Sequence, residues 1–368
     1  MPFVDLKSQY KALKDQIDKK IHAVLDHGAF INGPEVVELE KKLAEFTGTK
    51  HCLVCASGTD ALLVPMMALD IGPGDEVITT AFSFIATAET IMLAGAKPIY
   101  VDIDPVTFNM DVSLIEKYIT PRTKAIAPVS LYGQACDMDG INAIAKKHNL
   151  YVLEDAAQSF GAMYKGKRSC NLSIVGGTSF FPAKPLGCYG DGGAIFTNDD
   201  KLYQVMKEIR EHGSERRYYH TRLGVNARLD TIQCAILLAK MQRYQWEIDQ
   251  RQKIASKYND AFKLIKADGF SFPFIAEGSN SVWAQYTLTM TDRDSFQKKM
   301  GEAKIPTSIH YPMIMPDQPY YQKQTQQLPS EFPKARWTAE HVISLPMYPD
   351  MTSEVQDYII KHVKAALM

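Results

Sequence analysis

Apolar residues recur at helical spacing through the first forty-odd positions of the chain. Tyr10, Leu13, Ile17, Ile21, Val24 and Leu25 share one face of a helix that Gly28 closes. Gly33-Pro34 opens a second helix, with Val36, Val37, Leu39, Leu43 and Phe46 as its apolar positions. Beyond it the period changes. Short apolar runs at 52–54, 76–79, 98–102, 125–129, 151–153 and 193–196 read as strands, and stretches such as 86–94 read as helices between them. Alternation of this kind predicts an α/β fold, a mostly parallel sheet between two layers of helices. Ligands in such folds sit beyond the carboxyl ends of the strands. A long helix from Thr231 to Phe262 then leads to a β-type run over 284–290 and a last helix over 355–366. The expected division is a large domain over 1–245 and a small C-terminal domain over 246–368. One local conflict stands out: Pro65 interrupts a helical stretch over 60–69. That predicts either a kink or a helix with Pro65 in its first turn.

Composition narrows the function without deciding it. The 368 residues are 46% hydrophobic and 23% charged, enough to bury a large core. The formal charge of -1 gives no basic signal for nucleic acid. No apolar run reaches membrane-spanning length, and Met1–Lys7 lacks the pattern of a secretory signal, so the expected location is cytoplasmic. Six cysteines then read as free thiols. Cys52 and Cys55 form a C-x-x-C inside an apolar run with no second ligand pair, which favours core packing over zinc or redox chemistry.

The chemistry concentrates in two segments. Glu154-Asp155-Ala156-Ala157-Gln158-Ser159 follows an apolar strand. Ser179-Phe180-Phe181-Pro182-Ala183-Lys184 stands some thirty residues on, ahead of Gly187, Gly190, Gly192 and Gly193. Pyridoxal phosphate (PLP) chemistry requires such a pair. A lysine holds the aldehyde as a Schiff base, and a carboxylate keeps the ring nitrogen protonated. Small and apolar neighbours would lower the Lys184 pKa toward the free amine that this chemistry needs. Gln158, one helical turn after Asp155, is placed to reach the ring's phenolic oxygen. Ser57-Gly58-Thr59-Asp60 opens a helix, as either a phosphate cradle or an ordinary N-cap, and Ser179 adds a hydroxyl to the cradle reading. Phe82 and Phe84 follow a strand where an aromatic face could stack on a planar ring, although taken alone both read better as core aromatics. His212, Arg216, Arg217, His220, Arg222 and Arg228 form a cationic segment, suited to a diphosphate and a carboxylate or simply solvated.

The whole set resembles the DegT/StrS-type sugar aminotransferases among fold-type I PLP enzymes. The likeness covers nearly the whole chain. It includes Asn32-Gly33-Pro34-Glu35, Ala56-Ser57-Gly58-Thr59-Asp60-Ala61-Leu62, Gly72-Pro73-Gly74-Asp75-Glu76-Val77, Glu154 to Gly161, Gly190-Asp191-Gly192-Gly193-Ala194 and Gly224 to Asp230. Leu131-Tyr132-Gly133-Gln134 and the Pro185 after Lys184 look like a particular branch. That branch installs a 3-amino group on UDP-linked N-acetylated hexuronic acids for O-antigen assembly. The resemblance implies Lys184 as the Schiff-base lysine, Asp155 as partner of the pyridine nitrogen and Gln158 at the phenolic oxygen. It implies Phe84 stacked on the ring, with Gly58, Thr59 and Ser179 on the phosphate. Asn226 would reach the phosphate from the other subunit of a homodimer. Arg228, His310 and Tyr311 would contact the UDP-linked keto-sugar, again across the dimer, with L-glutamate as amino donor and no metal. A C4 aminotransferase acting on a 4-keto-6-deoxy sugar and a non-catalytic regulatory PLP protein are the alternatives. Dehydratase relatives carry histidine in place of the lysine, which Lys184 argues against.

Overall fold

The computed structural model describes residues 1–367. Two amphipathic helices open it, α1 (Leu6–His27) and α2 (Pro34–Thr47). Asp5 caps α1 by accepting from the Ser8 N–H at 3.0 Å. Pro34 fills the first position of α2, where its missing N–H costs no hydrogen bond.

The strands β1 (His51–Cys55), β2 (Glu76–Thr80), β3 (Lys97–Val101), β4 (Thr123–Ala127) and β5 (Tyr151–Asp155) follow in turn. A small hairpin, β6 (Met163–Tyr164) and β7 (Lys167–Arg168), precedes β8 (Val175–Ser179) and β9 (Gly193–Thr197). Seven of these make one sheet in the order β1-β9-β8-β5-β4-β2-β3, with β9 antiparallel to both neighbours and the other pairings parallel. The hydrophobic pattern finds six of the seven. It misses β8, where Gly176 and Gly177 dilute the apolar signal.

Alternation along the strands feeds two layers. Leu53 and Cys55 pack with α3 (Gly58–Ala68) and, beyond β9, α6 (Asp200–Arg210), whereas Cys52 and Val54 face α2 and α7 (Thr231–Phe262). Val77, Ala125 and Leu153 join Ile91 of α4 (Ala86–Leu93), while Ile78, Ile126 and Val152 join Ile141 of α5 (Met138–His148). Cys52 and Cys55 therefore lie on opposite faces of the sheet, as core residues. All six cysteines are buried and unpaired.

Pro65 sits near the end of α3, which begins at Gly58; the expectation of a first-turn proline is overturned. So late in the helix, only the Ala61 carbonyl loses its donor. The boundary expected near 245 falls inside α7. Tyr244 and Ile248 belong to the sheet's core, and Ile254, Tyr258 and Phe262 to a C-terminal cluster. A hairpin, β10 (Ser214–Arg216) and β11 (Tyr219–His220), precedes α7, and the pair β12 (Tyr286–Thr289) and β13 (Val342–Leu345) brings Tyr286, Leu288, Ile343 and Leu345 to the C-terminal cluster. Ile314, Met315, Phe332 and Ala335 fold back onto Ala81, Phe82 and Tyr100, which carries His310 and Tyr311, just before Ile314, toward the carboxyl ends of the strands.

Candidate active site

Asp155 ends β5 and shares the face of Leu153, toward α4. There it accepts from the Thr87 hydroxyl at 2.6 Å and the Ala157 N–H at 3.0 Å. It is 5% exposed, and burial raises its carboxyl above the usual range against these donors and the Lys184 charge.

Glu154 faces the other way, accepting from the Ser169 hydroxyl at 2.5 Å and the Cys170 N–H at 2.9 Å. Burial pushes it up to about 7. The folded state therefore binds a proton that the unfolded chain has released, and stability falls as pH rises from the ordinary 4.5 through about 7. The Glu154→Gln variant is expected to show a flatter Tm profile between about pH 5 and 8. Equal slopes in the two proteins would place the titration on another carboxyl.

Lys184 rides on the tight loop between β8 and β9. Its N–H bonds the Phe181 carbonyl at 2.8 Å, and the Cys188 N–H bonds the Phe180 carbonyl at 2.8 Å. A Cβ on Gly187 would meet the Pro182 and Phe181 carbonyls at 2.5 and 2.6 Å, so only glycine closes this turn. The Lys184 amine is partly buried, and desolvation lowers its pKa while Asp155 pulls it upward. Burial and the Lys184 charge in turn lower His310 to about 4, leaving a neutral imidazole near neutral pH.

His310 is held by Ser344 at Nδ1 (3.1 Å) and Ser308 at Nε2 (3.3 Å), and the Tyr132 hydroxyl donates to its carbonyl. The His310–Tyr311 peptide is cis. Gln158 is buried between two tyrosines: its Oε1 accepts from the Tyr132 N–H at 2.9 Å, and its Nε2 donates to the Tyr311 hydroxyl at 3.2 Å. Tyr132 holds φ 56°, a left-handed backbone that costs a non-glycine residue about 1–2 kcal/mol. Phe82 is core. Phe84 is 54% exposed, its ring 5.9 Å from that of Tyr311.

Ser57 caps α3, accepting from the Asp60 N–H at 3.0 Å and donating to the Asp60 carboxylate at 2.7 Å. Its hydroxyl is thus spent on the helix. Gly58 and Thr59 lead α3, where the first N–H groups lack intrahelical acceptors. A Cβ on Gly58 would lie 2.6 Å from the Ser179 Cβ, so the helix start and the Ser179 side chain are in contact.

The structure thus brings Lys184, Asp155, Gln158, Phe84, His310 and Tyr311 together within one chain, with Gly58, Thr59 and Ser179 alongside one another. His310 and Tyr311 reach the group without a second subunit. Asn226 and Arg228 stand on a separate feature. Ala227 between them accepts from the Ala56 N–H at 3.0 Å. Asn226 is exposed opposite Glu211, and Arg228 lines an open groove of about 440 Å³ with His212, Arg216, Arg217 and His220. The Arg228 Nε is buried and has no partner among the described residues. Arg222 is exposed and is paired with Glu208 at 2.7 Å. Sequence reasoning missed Thr87 and Tyr132 as neighbours. The alternation along β5 does aim Asp155 at α4, and so toward Thr87.

The model of the DegT/DnrJ/EryC1/StrS aminotransferase family matches residues 11–364. The chain belongs to this family. As a DegT/DnrJ/EryC1/StrS member it is a PLP-dependent aminotransferase of fold type I. It is 57% identical, over 94% of its length and 95% of the relative's, to the UDP-2-acetamido-2-deoxy-3-oxo-D-glucuronate aminotransferase of Pseudomonas aeruginosa. It is 43% identical, over 99% and 97%, to a "Pleiotropic regulatory protein" of Geobacillus stearothermophilus. Among solved structures, S. venezuelae DesV in complex with a ketimine intermediate superposes with a TM-score of 0.97, at 35% identity over 100% of this chain and 98% of that one. Among the described residues, no helix is long and apolar enough to cross a membrane.

Proposed function

We propose that the chain moves an amino group from L-glutamate to C3 of a UDP-linked 2-acetamido-2-deoxy-3-oxo-hexuronic acid, for surface polysaccharide assembly, as a cytoplasmic homodimer. The 57% identity along nearly the full length of a relative named for that substrate carries this reading.

The residues present fit PLP. A buried carboxylate, Asp155, suits a protonated pyridine nitrogen, and the desolvated Lys184 amine suits attachment to an aldehyde. The start of α3 at Gly58 and Thr59, with Ser179, suits a phosphate, and the half-exposed face of Phe84 suits a planar ring. PLP, when bound, supplies an electron sink for the charge left at carbon when a proton is removed. Lys184 would then take the proton from the Cα of glutamate as a base and deliver it, as an acid, to the aldehyde-derived carbon of the cofactor. Asp155 would keep the ring nitrogen protonated through both halves of the reaction. Gln158, fixed between Tyr132 and Tyr311, presents its amide toward the phenolic oxygen. His310 and Tyr311 contact the sugar. Arg228 and Asn226 complete the site of the partner subunit, an arrangement supported by the unpaired Arg228 Nε and the exposed position of Asn226.

The regulatory name of one relative favours a second, non-catalytic reading. Lys184 with its amine shifted toward neutrality beside Asp155 argues against it. The test is sequential. L-glutamate is expected to convert the purified enzyme's cofactor absorbance to that of the pyridoxamine form, and the 3-oxo UDP-hexuronic acid to restore it. Restoration by a 4-keto-6-deoxy nucleotide sugar alone would move the chemistry to C4. No change with glutamate would favour the regulatory reading.

A further inference from the structure

Lys240 is a buried lysine that the proposed mechanism does not use. It is 2% exposed, on the face of α7 that meets the Lys184 loop. A desolvated ammonium carries a large penalty unless something inside the protein takes its hydrogen bonds. Here the acceptor is the Gly187 carbonyl at 2.5 Å, and the Tyr189 ring centre lies 4.3 Å from the Nζ. Glu247, two turns along the helix, is engaged elsewhere, accepting from Gln9 at 2.9 and 3.0 Å and facing Arg243 at 3.6 Å.

The grip on this loop has a second point. Gln233 stands seven residues before Lys240, two helical turns along one face. Its side-chain amide brackets Tyr189, accepting from the N–H at 2.8 Å and donating to the carbonyl at 3.3 Å. Helix α7 thus holds consecutive stretches of the segment that closes the turn. Lys184 sits inside that turn, between Phe181, which accepts from the Lys184 N–H, and Gly187, whose α-carbon lies against the Phe181 and Pro182 carbonyls. With no side chain at Gly187 to pack, the Gly187 carbonyl is the handle by which the loop is held.

We propose that Lys240 is a positioning residue for amino transfer: its buried ammonium fixes the Gly187 carbonyl and thereby sets where the Lys184 amine stands relative to Asp155. The inference rests on the reading of Lys184 given above. Burial lowers the Lys240 amine to about 8 against the pull of Glu247 and Cys188, in keeping with a charge kept inside for a local task.

The test uses the PLP-loaded enzyme with Lys240→Met, which fills the volume without a donor, and Lys240→Gln, which keeps a donor without charge. Both are expected to retain cofactor absorbance. In Lys240→Met, kcat is expected to fall about tenfold to a hundredfold with little change in KM for L-glutamate, since misplacement of a reacting group acts on the chemical step. The pH midpoint of the cofactor band should move by about half a unit or more, because the field of Asp155 on Lys184 changes with their separation. Lys240→Gln should lie between Lys240→Met and wild type. Wild-type kcat and an unmoved midpoint in both variants, with only Tm altered, would overturn the proposal. So would failure of both to fold, which would make Lys240 a scaffold residue. A Lys184→Ala control separates the two ideas: wild-type turnover there sinks the Lys184 reading, whatever Lys240 does.

Discussion

Lys184→Ala is expected to fold normally and to lose turnover by about four orders of magnitude or more, the upper range for removing a positioned acid–base group. The fold should survive because desolvation already works against the Lys184 charge, and its loop is held by hydrogen bonds to the Phe180, Phe181 and Gly187 carbonyls rather than by the Lys184 amine. Removing a partly buried amine lifts a cost and leaves no buried partner unsatisfied apart from the Asp155 carboxylate, which keeps Thr87 and Ala157. The visible absorbance of lysine-bound cofactor should disappear, while the apoprotein Tm stays within a few degrees of wild type. His310 supplies an independent readout. The Lys184 charge helps to hold its pKa near 4, so the imidazole should titrate higher in the variant, visible by NMR. Normal turnover in Lys184→Ala would end the proposed mechanism. An unmoved His310 would show that burial alone sets its pKa.

Much of this was legible in the chain because parallel strands buried on both faces read as plain apolar runs. Residues 76–79 and 151–153 needed no partner to be recognised, and Asp155 stood out as the acid ending one of them. Strand β8 was hidden by its own glycines. Their value lies in close approach to other segments, which a propensity pattern does not record. The helix start at Gly58 was equally ambiguous in sequence. Ser-Gly-Thr-Asp caps a helix whether or not a phosphate is near, and only the contact between Gly58 and Ser179 joins the two segments. His310 and Tyr311 lie over 120 residues beyond Lys184, and the residues themselves say nothing of their proximity. It follows from the return of segment 314–335 onto Phe82 and Tyr100. Lys240 was invisible for a related reason. A lysine on a long helix reads as solvated until the loop that it bonds is in place.

Asp155→Asn and Asp155→Ala separate charge from hydrogen bonding at the base of the site. An asparagine can place its oxygen on the Ala157 N–H and its NH2 toward the Thr87 hydroxyl, which can turn to accept, so the apoprotein should hold its wild-type stability within about 1 kcal/mol. Alanine strands the Thr87 hydroxyl and should cost the apoprotein about 1–3 kcal/mol. Yet both variants lack the anion opposite the ring nitrogen. Breaking a buried charge pair costs about 3–5 kcal/mol. At about 1.4 kcal/mol per tenfold, that is about two to three and a half orders of magnitude in kcat, with cofactor retained more weakly. The pH behaviour adds a sign. Burial raises the Asp155 carboxyl, so the folded apoprotein holds its proton to higher pH than the unfolded chain, and ionising it costs stability as pH rises. A protonated ring nitrogen held opposite Asp155 would favour its carboxylate form and reverse this. PLP should therefore stabilise wild type more at pH 8 than at pH 5, and the difference should shrink in Asp155→Asn. Wild-type kcat in Asp155→Asn would show that hydrogen bonding, not charge, is what the site requires of this residue.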